Sequence, residues 1–198
     1  MQINRWFYRV SLMLLPQLVF ALGNHPRIWL TPTLISSIQA KVNANDPDWQ
    51  RLKATADTLK GYTVAPYDRN ACLSNQICYN YEGLGWLSPM IDLALVYRVT
   101  GDTSYAAQAK ALLTAMNAPY KNSGDLSPIQ LDSGYPTRSA LLAFAIGYDW
   151  LYDYLDAGTK ADTIQTINAA YAWISSGSGP TAYTMPAGNP YNNYMGGH

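Results

Sequence analysis

The sequence has little charge and no excess of either sign. Its 198 residues contain 13 Lys and Arg against 13 Asp and Glu, so the formal net charge is zero. Without a basic excess the chain lacks the electrostatic attraction on which nucleic-acid binding depends. A charged fraction of 13% beside a hydrophobic fraction of 48% also excludes a disordered charged tail. The length is sufficient for one domain with its own core.

Several reactive residue types are scarce. The chain has two His, two Cys and a single glutamate, Glu82. No His/Cys cluster has the spacing of a metal site, and neither a Gly-x-Ser-x-Gly elbow nor a glycine-rich phosphate loop is present. We therefore expect neither a metal nor another cofactor. Because glutamate is so rare, any catalytic carboxylate pair must consist mostly of aspartates.

Phenylalanine is also rare, with three residues, whereas the chain has 16 Tyr and six Trp. Tyrosine and tryptophan combine an apolar ring with a polar atom, which suits surfaces that contact polar ligands. The same composition is compatible with an ordinary aromatic core. The aromatic excess alone does not decide between these interpretations.

The first 23 residues have the pattern of a secretory signal peptide. Arg5 and Arg9 precede the apolar stretch 10–20, and small residues follow up to Gly23. The stretch is too short to span a membrane. We expect cleavage after Gly23, a secreted or periplasmic protein, and a mature chain with 11 basic and 13 acidic residues. An uncleaved membrane anchor is the alternative.

Export bears on whether the two cysteines form a disulfide. Cys72 and Cys78 are separated by five residues in a polar loop. In an oxidising compartment this spacing favours a disulfide across the loop. A metal site is disfavoured because no His, Asp or Glu lies between or beside the two thiols.

Capping residues and apolar spacing predict six helices and no strand. The first three begin at Pro32 after the cap Thr31, at Pro47 after the cap Asp46 with a stop at Gly61, and at Ser88-Pro89 with a stop at Gly101. The other three cover about 103–116, 137–155 and 159–175. The last of these places Ile164, Ile167, Ala170, Tyr171 and Ile174 on one face.

The connections alternate between tight and long. Residues 100–102 and 156–158 form tight loops, whereas 61–82 and 117–136 are long. Tight loops join antiparallel neighbours, so the predicted fold is all-α, with stacked antiparallel helical hairpins. A binding surface is expected among the long loops.

Three strings resemble secreted heparinase II/III-like and alginate-lyase-like proteins. They are HPRIWLTP at 25–32, ALVYRVTGD at 94–102 with Tyr105 beyond it, and AIGYDWLY at 145–152. The resemblance implies part of an incomplete (α/α) toroid, followed by a β-rich domain. Residues 24–198 would then be the N-terminal part of the toroid domain, truncated at its C-terminal side. The remaining half of the toroid and the β-rich domain would belong to the full-length protein.

The resemblance also implies a catalytic segment near residue 193. Asn193 matches an Asn that contacts the uronate carboxylate in the lyases, but Tyr194 stands where a His follows in them. The nearest imidazole is His198, which could instead be a frayed terminus. Expected catalytic residues are Asn193, Tyr194 and His198, in a β-elimination on an acidic polysaccharide or oligosaccharide.

Substrate contacts are expected from amide, guanidinium and aromatic side chains near the long loops. Amides and guanidinium groups bind carboxylates, and aromatic rings stack on sugar faces. The predicted substrate-binding residues are Asn192, Arg138, Arg69, Tyr135, Trp86 and Tyr81. Arg138 could equally be a solvated residue at the start of a helix. His25, directly after the cleavage site, is not expected to be functional.

Two other functions remain open. A toroid glycoside hydrolase would use aspartate pairs, either Asp149 with Asp153 or Asp125 with Asp132. For Asp149 a structural role is also expected, in which it joins an inner helix to its neighbours. A secreted carbohydrate-binding module without catalysis is the third possibility. Neither nucleic acid nor, after leader cleavage, a membrane is an expected partner.

Overall fold

The fold is a stack of helices. The computed structural model describes residues 24–65, 75–77, 84–134 and 136–175. The predicted leader and both cysteines lie outside the described residues. In chain order the elements are α1 (Pro32–Asn43), α2 (Pro47–Lys60), β1 (Thr63–Val64), β2 (Gln76–Ile77), α3 (Leu84–Thr100), α4 (Thr103–Ser123), α5 (Ser127–Gly134), α6 (Thr137–Trp150) and α7 (Ala157–Ser175). The predicted all-α class is therefore confirmed.

Local capping chemistry determines α1 and α2, and both predictions are confirmed. The hydroxyl of Thr31 accepts a hydrogen bond from the backbone N–H of Leu34, and the carboxylate of Asp46 accepts one from Asp48. Each helix has proline at its first position, where no intrahelical N–H is needed. α2 ends at Gly61, as its sequence indicates.

The predicted start of α3 at Ser88-Pro89 is wrong. The helix begins at Leu84, so Pro89 lies inside it. Because Pro89 is close to the beginning of α3, its missing N–H removes a single hydrogen bond near the helix end. Trp86 and Met90 are buried on either side of it. Burial of these large side chains compensates for the lost hydrogen bond.

The predicted ends of the fourth and fifth helices are also wrong. α4 continues past Met116 to Ser123 and ends at Gly124, whose φ of 68° suits glycine as a left-handed cap. Part of the predicted long loop 117–136 forms α5. α6 stops at Trp150 and is followed by turns, whereas the sequence predicted a helix to Leu155.

A two-residue parallel ladder joins β1 and β2, although the sequence predicted no strand. Thr63 pairs with Gln76 and Val64 with Ile77. The ladder therefore joins the residues directly after α2 to two residues that lie between Cys72 and Cys78 in the sequence. Such a short ladder leaves no alternating pattern for sequence analysis to detect.

Two hairpins, α3–α4 and α6–α7, pack side by side. Met90 and Leu113 both contact the position where a Cβ on Gly147 would stand, and Arg98 forms an ion pair with Asp153 at 3.2 Å. α3 and α6 therefore run in the same direction.

The second helices of the two hairpins are parallel as well. Lys110 pairs with Asp156 at 2.6 Å and Lys121 with Asp162 at 2.7 Å, so α4 and α7 share one direction. The described residues thus form a layer containing α3 and α6 and a layer containing α4 and α7.

α7 packs with a polar face. Thr159, Thr163, Thr166 and Ala170 are buried, whereas Ile164 and Tyr171 are 43% and 68% exposed. The buried face of α7 therefore shares only Ala170 and the half-buried Ile167 with the predicted apolar face. In the described part of the chain no helix is long and apolar enough to cross a membrane.

Candidate functional site

Two of the three strings of the resemblance, 25–32 and 145–152, meet at the carboxylate of Asp149. One oxygen, Oδ1, lies 2.5 Å from Nδ1 of His25. The other, Oδ2, accepts hydrogen bonds from the backbone N–H groups of Arg27 at 2.7 Å and Ile28 at 2.8 Å. The indole N–H of Trp150 donates to the carbonyl of Ile28 at 2.9 Å. One turn of α6 therefore holds the segment before α1.

The third string, in α3, contacts the segment before α1 through Arg98. Its guanidinium donates to the backbone carbonyl of His25 at 3.3 Å and pairs with Asp153 at 3.2 Å. Asp149 and its side-chain partner His25 are almost fully enclosed, with 4% and 9% of their side chains exposed. We call this set of contacts the Asp149 junction, formed by His25, Arg27, Ile28, Arg98, Asp149 and Trp150.

His25 uses both ring nitrogens in the junction. Its Nδ1–H donates to Asp149, and its Nε2 accepts a hydrogen bond from the guanidinium of Arg27. The imidazole also stacks on Tyr152, with centroids 3.8 Å apart and planes 14° apart. Since both nitrogens are occupied, His25 orients other groups and is not a free general base in this arrangement.

A cleft of about 410 Å³ opens beside the junction, and we call it the Arg27 cleft. It lies between the segment before α1, α6 and α7, on the side of α6 turned away from α3. The volume is within the range of small-molecule sites. The lining residues are His25, Arg27, Ile28, Ala145, Tyr148, Asp149, Ile164, Ile167 and Asn168. Apolar side chains form much of its surface, and three polar groups remain for a ligand, those of Arg27, Tyr148 and Asn168.

The electrostatics of the Arg27 cleft favour an anion. The guanidinium of Arg27 bonds to a neutral imidazole, and no described carboxylate lies within ion-pair distance of it. Burial raises the pKa of the Tyr148 hydroxyl, the neighbouring Tyr152 raises it further, and Arg27 opposes both. Tyr148 is therefore a neutral hydrogen-bond donor at neutral pH.

Lys160 adds a second cation near the cleft. Its ammonium lies 3.7 Å from the ring centroid of Tyr152, whose other face carries His25. A cation over an aromatic face is attracted by the ring quadrupole. No described carboxylate pairs with Lys160 either. The stacked rings of His25 and Tyr152 thus lie between two cations.

The sequence-predicted site residues have different fates. Trp86, expected to contact substrate, lies in the core with 2% exposure. Arg138 is half-buried in the first turn of α6. The predicted residues outside the described part of the chain are Arg69, Tyr81, Tyr135, Asn192, Asn193, Tyr194 and His198, with Cys72 and Cys78.

Three of the four aspartates proposed for hydrolase pairs have side chains among the described residues. Asp149 is buried in the junction, where the expected structural role is confirmed, and Asp153 is exposed and bound to Arg98. Asp125 accepts a hydrogen bond from the backbone N–H of Ser127 at 2.8 Å and so caps α5. The side chain of Asp132 is outside the described set.

Sequence reasoning missed Arg27, Tyr148 and Asn168. The first two belong to strings that carry the resemblance, from which no binding residue was inferred, and Asn168 follows Ile167 on a helix face with no polar pattern. Local spacing carries no signal for a cleft whose walls lie more than 100 residues apart in the chain. In the described ranges no group of three or more His, Cys, Asp or Glu could hold a metal ion.

Comparison with protein-family models, with curated proteins and with solved structures finds no match to this chain.

Proposed function

We propose that the chain is the N-terminal part of an (α/α) toroid of an exported polysaccharide lyase. It would act on a uronate-containing polysaccharide of the alginate or glycosaminoglycan type, by β-elimination. Export follows from the leader 1–23, and the reaction from the resemblance of the three strings and of the segment around Asn193.

The observation that carries the proposal is the Asp149 junction. Strings 25–32, 94–102 and 145–152 lie far apart in the chain, and the first string bonds to each of the other two there. Unrelated chance matches have no reason to meet at one point in a fold. Their contact favours a shared architecture with the resembling proteins.

The parallel layers of the two hairpins support the same architecture. A toroid repeats helical hairpins so that the first helices form one layer and the second helices another. α3 with α6, and α4 with α7, have this relation, with ion pairs Lys110–Asp156 and Lys121–Asp162 between the second helices. The same arrangement is compatible with other stacked helical hairpins, so the function needs a chemical test.

β-Elimination requires three tasks at the uronate. A group must neutralise the carboxylate, a base must remove the adjacent proton, and an acid must protonate the leaving 4-linked oxygen. We assign the first task to Asn193 and the two proton transfers to Tyr194 and His198. The product carries a C=C bond conjugated with the carboxylate, which provides an absorbance to follow.

The test uses the exported chain, with its N-terminus checked by mass for a start at Asn24. It is incubated with alginate and with glycosaminoglycans. The absorbance of the new C=C bond is followed at about 235 nm, because β-elimination forms this bond when the proton beside the carboxylate is removed. The expected result is a rise in absorbance with at least one polymer. Variants Asn193→Ala and His198→Ala should each lower the rate about 100-fold or more.

Two other outcomes would contradict the lyase proposal. New reducing ends without the absorbance would indicate hydrolysis. Retention of the polymer without cleavage would indicate a carbohydrate-binding module.

Variant Gln39→Ala serves as the matched control, because Gln39 lies on exposed α1 and bonds only to Asn43 among the described residues. Its rate should equal that of the unmodified protein.

A further inference from the structure

We propose that the Arg27 cleft binds the carboxylate of an acidic sugar. The proposed function supplies the choice of a uronate as the ligand. The site itself follows from the described side chains and is separate from the segment around Asn193.

The guanidinium of Arg27 is the group that selects an anion. Its backbone N–H is bound to Asp149 and its guanidinium to His25 Nε2, so two contacts hold the side chain at the wall of the cleft. The remaining guanidinium N–H groups are donors with the fork geometry that fits a carboxylate. The contact with His25 leaves the guanidinium without a direct carboxylate partner among the described residues, so a ligand carboxylate can pair with it.

His25 is a positioning residue in this site. The Asp149 carboxylate holds Nδ1–H, which leaves Nε2 as the acceptor that orients Arg27. Stacking on Tyr152 fixes the plane of the imidazole. The orientation of the guanidinium is thus set before any ligand arrives, which lowers the entropic cost of binding.

The other walls suit the remainder of a sugar ring. Tyr148 and the exposed Asn168 offer a hydroxyl and an amide for ligand hydroxyl groups, and Ile164 and Ile167 offer an apolar surface for the C–H face. The neutral Tyr148 can donate a hydrogen bond at neutral pH. The cleft thereby combines one fixed cation with a few polar groups on an apolar wall, as is common in small-ligand sites.

The test is calorimetric titration of the full chain with trimannuronate, a tri-uronate from alginate, and with mannotriose as its uncharged counterpart. The unmodified protein should bind trimannuronate and not mannotriose. Arg27→Gln keeps the backbone contact with Asp149 and removes the charge, so the Kd should rise about tenfold or more. Asn168→Ala, at an exposed position, should raise it about two- to tenfold.

Arg51→Gln is the matched control, because Arg51 is an exposed arginine of α2 paired with Asp48 and distant in sequence from every wall of the cleft. Its Kd should not change. Melting curves of each variant verify folding, and Asn168→Ala keeps the test informative if Arg27→Gln is unstable.

Three results would overturn the inference: no binding of trimannuronate, equal binding of mannotriose, or an unchanged Kd in both cleft variants. The cleft would then be an apolar packing surface only. These results are distinguishable from failure of the lyase proposal. Arg27-dependent binding without new absorbance contradicts the lyase alone, whereas new absorbance with Arg27-independent binding contradicts the cleft alone.

Discussion

At the scale of single residues, Asp92 is the carboxylic acid, among those the structure describes, whose surroundings least suit its charge. It lies in α3, half-buried, and no described residue forms a hydrogen bond or ion pair with it. Burial raises the pKa of Asp92 above its usual value, because removal from water disfavours the charged form. The folded state therefore binds a proton more tightly than the unfolded state.

The raised pKa of Asp92 makes the stability of the folded state depend on pH. Below the unfolded pKa of about 4 the carboxyl is neutral in both states and destabilises neither. As the pH rises through the folded pKa, the folded state must hold an unfavourable charge and stability is lost. Asp92→Asn should therefore raise Tm at pH 7 and leave it unchanged near pH 3 to 4. Melting curves over this range check it, and a lower Tm at pH 7 would contradict the burial account.

At the scale of helices, α7 shows that apolar spacing alone does not select the packed face. One of its inward-facing threonines, Thr163, satisfies a buried polar group of α4. The side-chain N–H of Asn117, which is 1% exposed, donates to the hydroxyl of Thr163 at 2.8 Å, and that hydroxyl donates to the carbonyl of Thr159. This pairing joins α4 to α7 in a specific register.

Removing the hydroxyl of Thr163 should cost more unfolding free energy than removing the hydroxyl of an exposed helical threonine. Thr163→Val keeps the side-chain shape but leaves the Asn117 amide without this acceptor, so unfolding free energy should fall by about 1–3 kcal/mol. Urea denaturation measures it. Thr58→Val, an exposed helical threonine that bonds only to the carbonyl of Ala54, is the matched control and should change stability by less than about 0.5 kcal/mol. Equal losses would show that Thr163 acts only through helix propensity.

At the scale of the whole molecule, the Asp149 junction joins segments that are far apart in the chain. Three hydrogen bonds to the Asp149 carboxylate and one from Trp150 connect the residues before α1 to the end of α6, and a hydrogen bond from Arg98 connects them to the end of α3. Removing a buried carboxylate leaves several donors unpaired at once. The loss of stability should therefore extend from α6 to the segment before α1.

Asp149→Ala should lower the unfolding free energy by about 3 kcal/mol, since three donors lose a charged acceptor. It should also expose the segment before α1 to limited proteolysis. The control is Asp153→Ala, four residues further on, where an exposed ion pair with Arg98 is worth at most about 1 kcal/mol. Similar stability of the two variants in urea would contradict the role given to the junction.

Much of the helical content could be predicted from short-range chemistry. Thr31, Asp46 and Asp102 accept hydrogen bonds at helix starts, and Gly101 has the positive φ that ends α3. Each depends on neighbours within four residues, so their patterns are visible in a single sequence. The errors have longer-range causes, since the early start of α3 depends on the burial of Trp86.

The candidate site was far less predictable. HPR and YDW are visible as strings, but nothing in either indicates that His25 and Asp149, 124 positions apart, form a contact. The cleft depends on that contact, since it places Arg27 across from α7. Helix class, caps and tight turns are thus encoded locally in the amino-acid sequence. The junction, the packed face of α7 and the Arg27 cleft arise only on folding, because a buried charge or amide finds its partner in whichever distant segment packs against it.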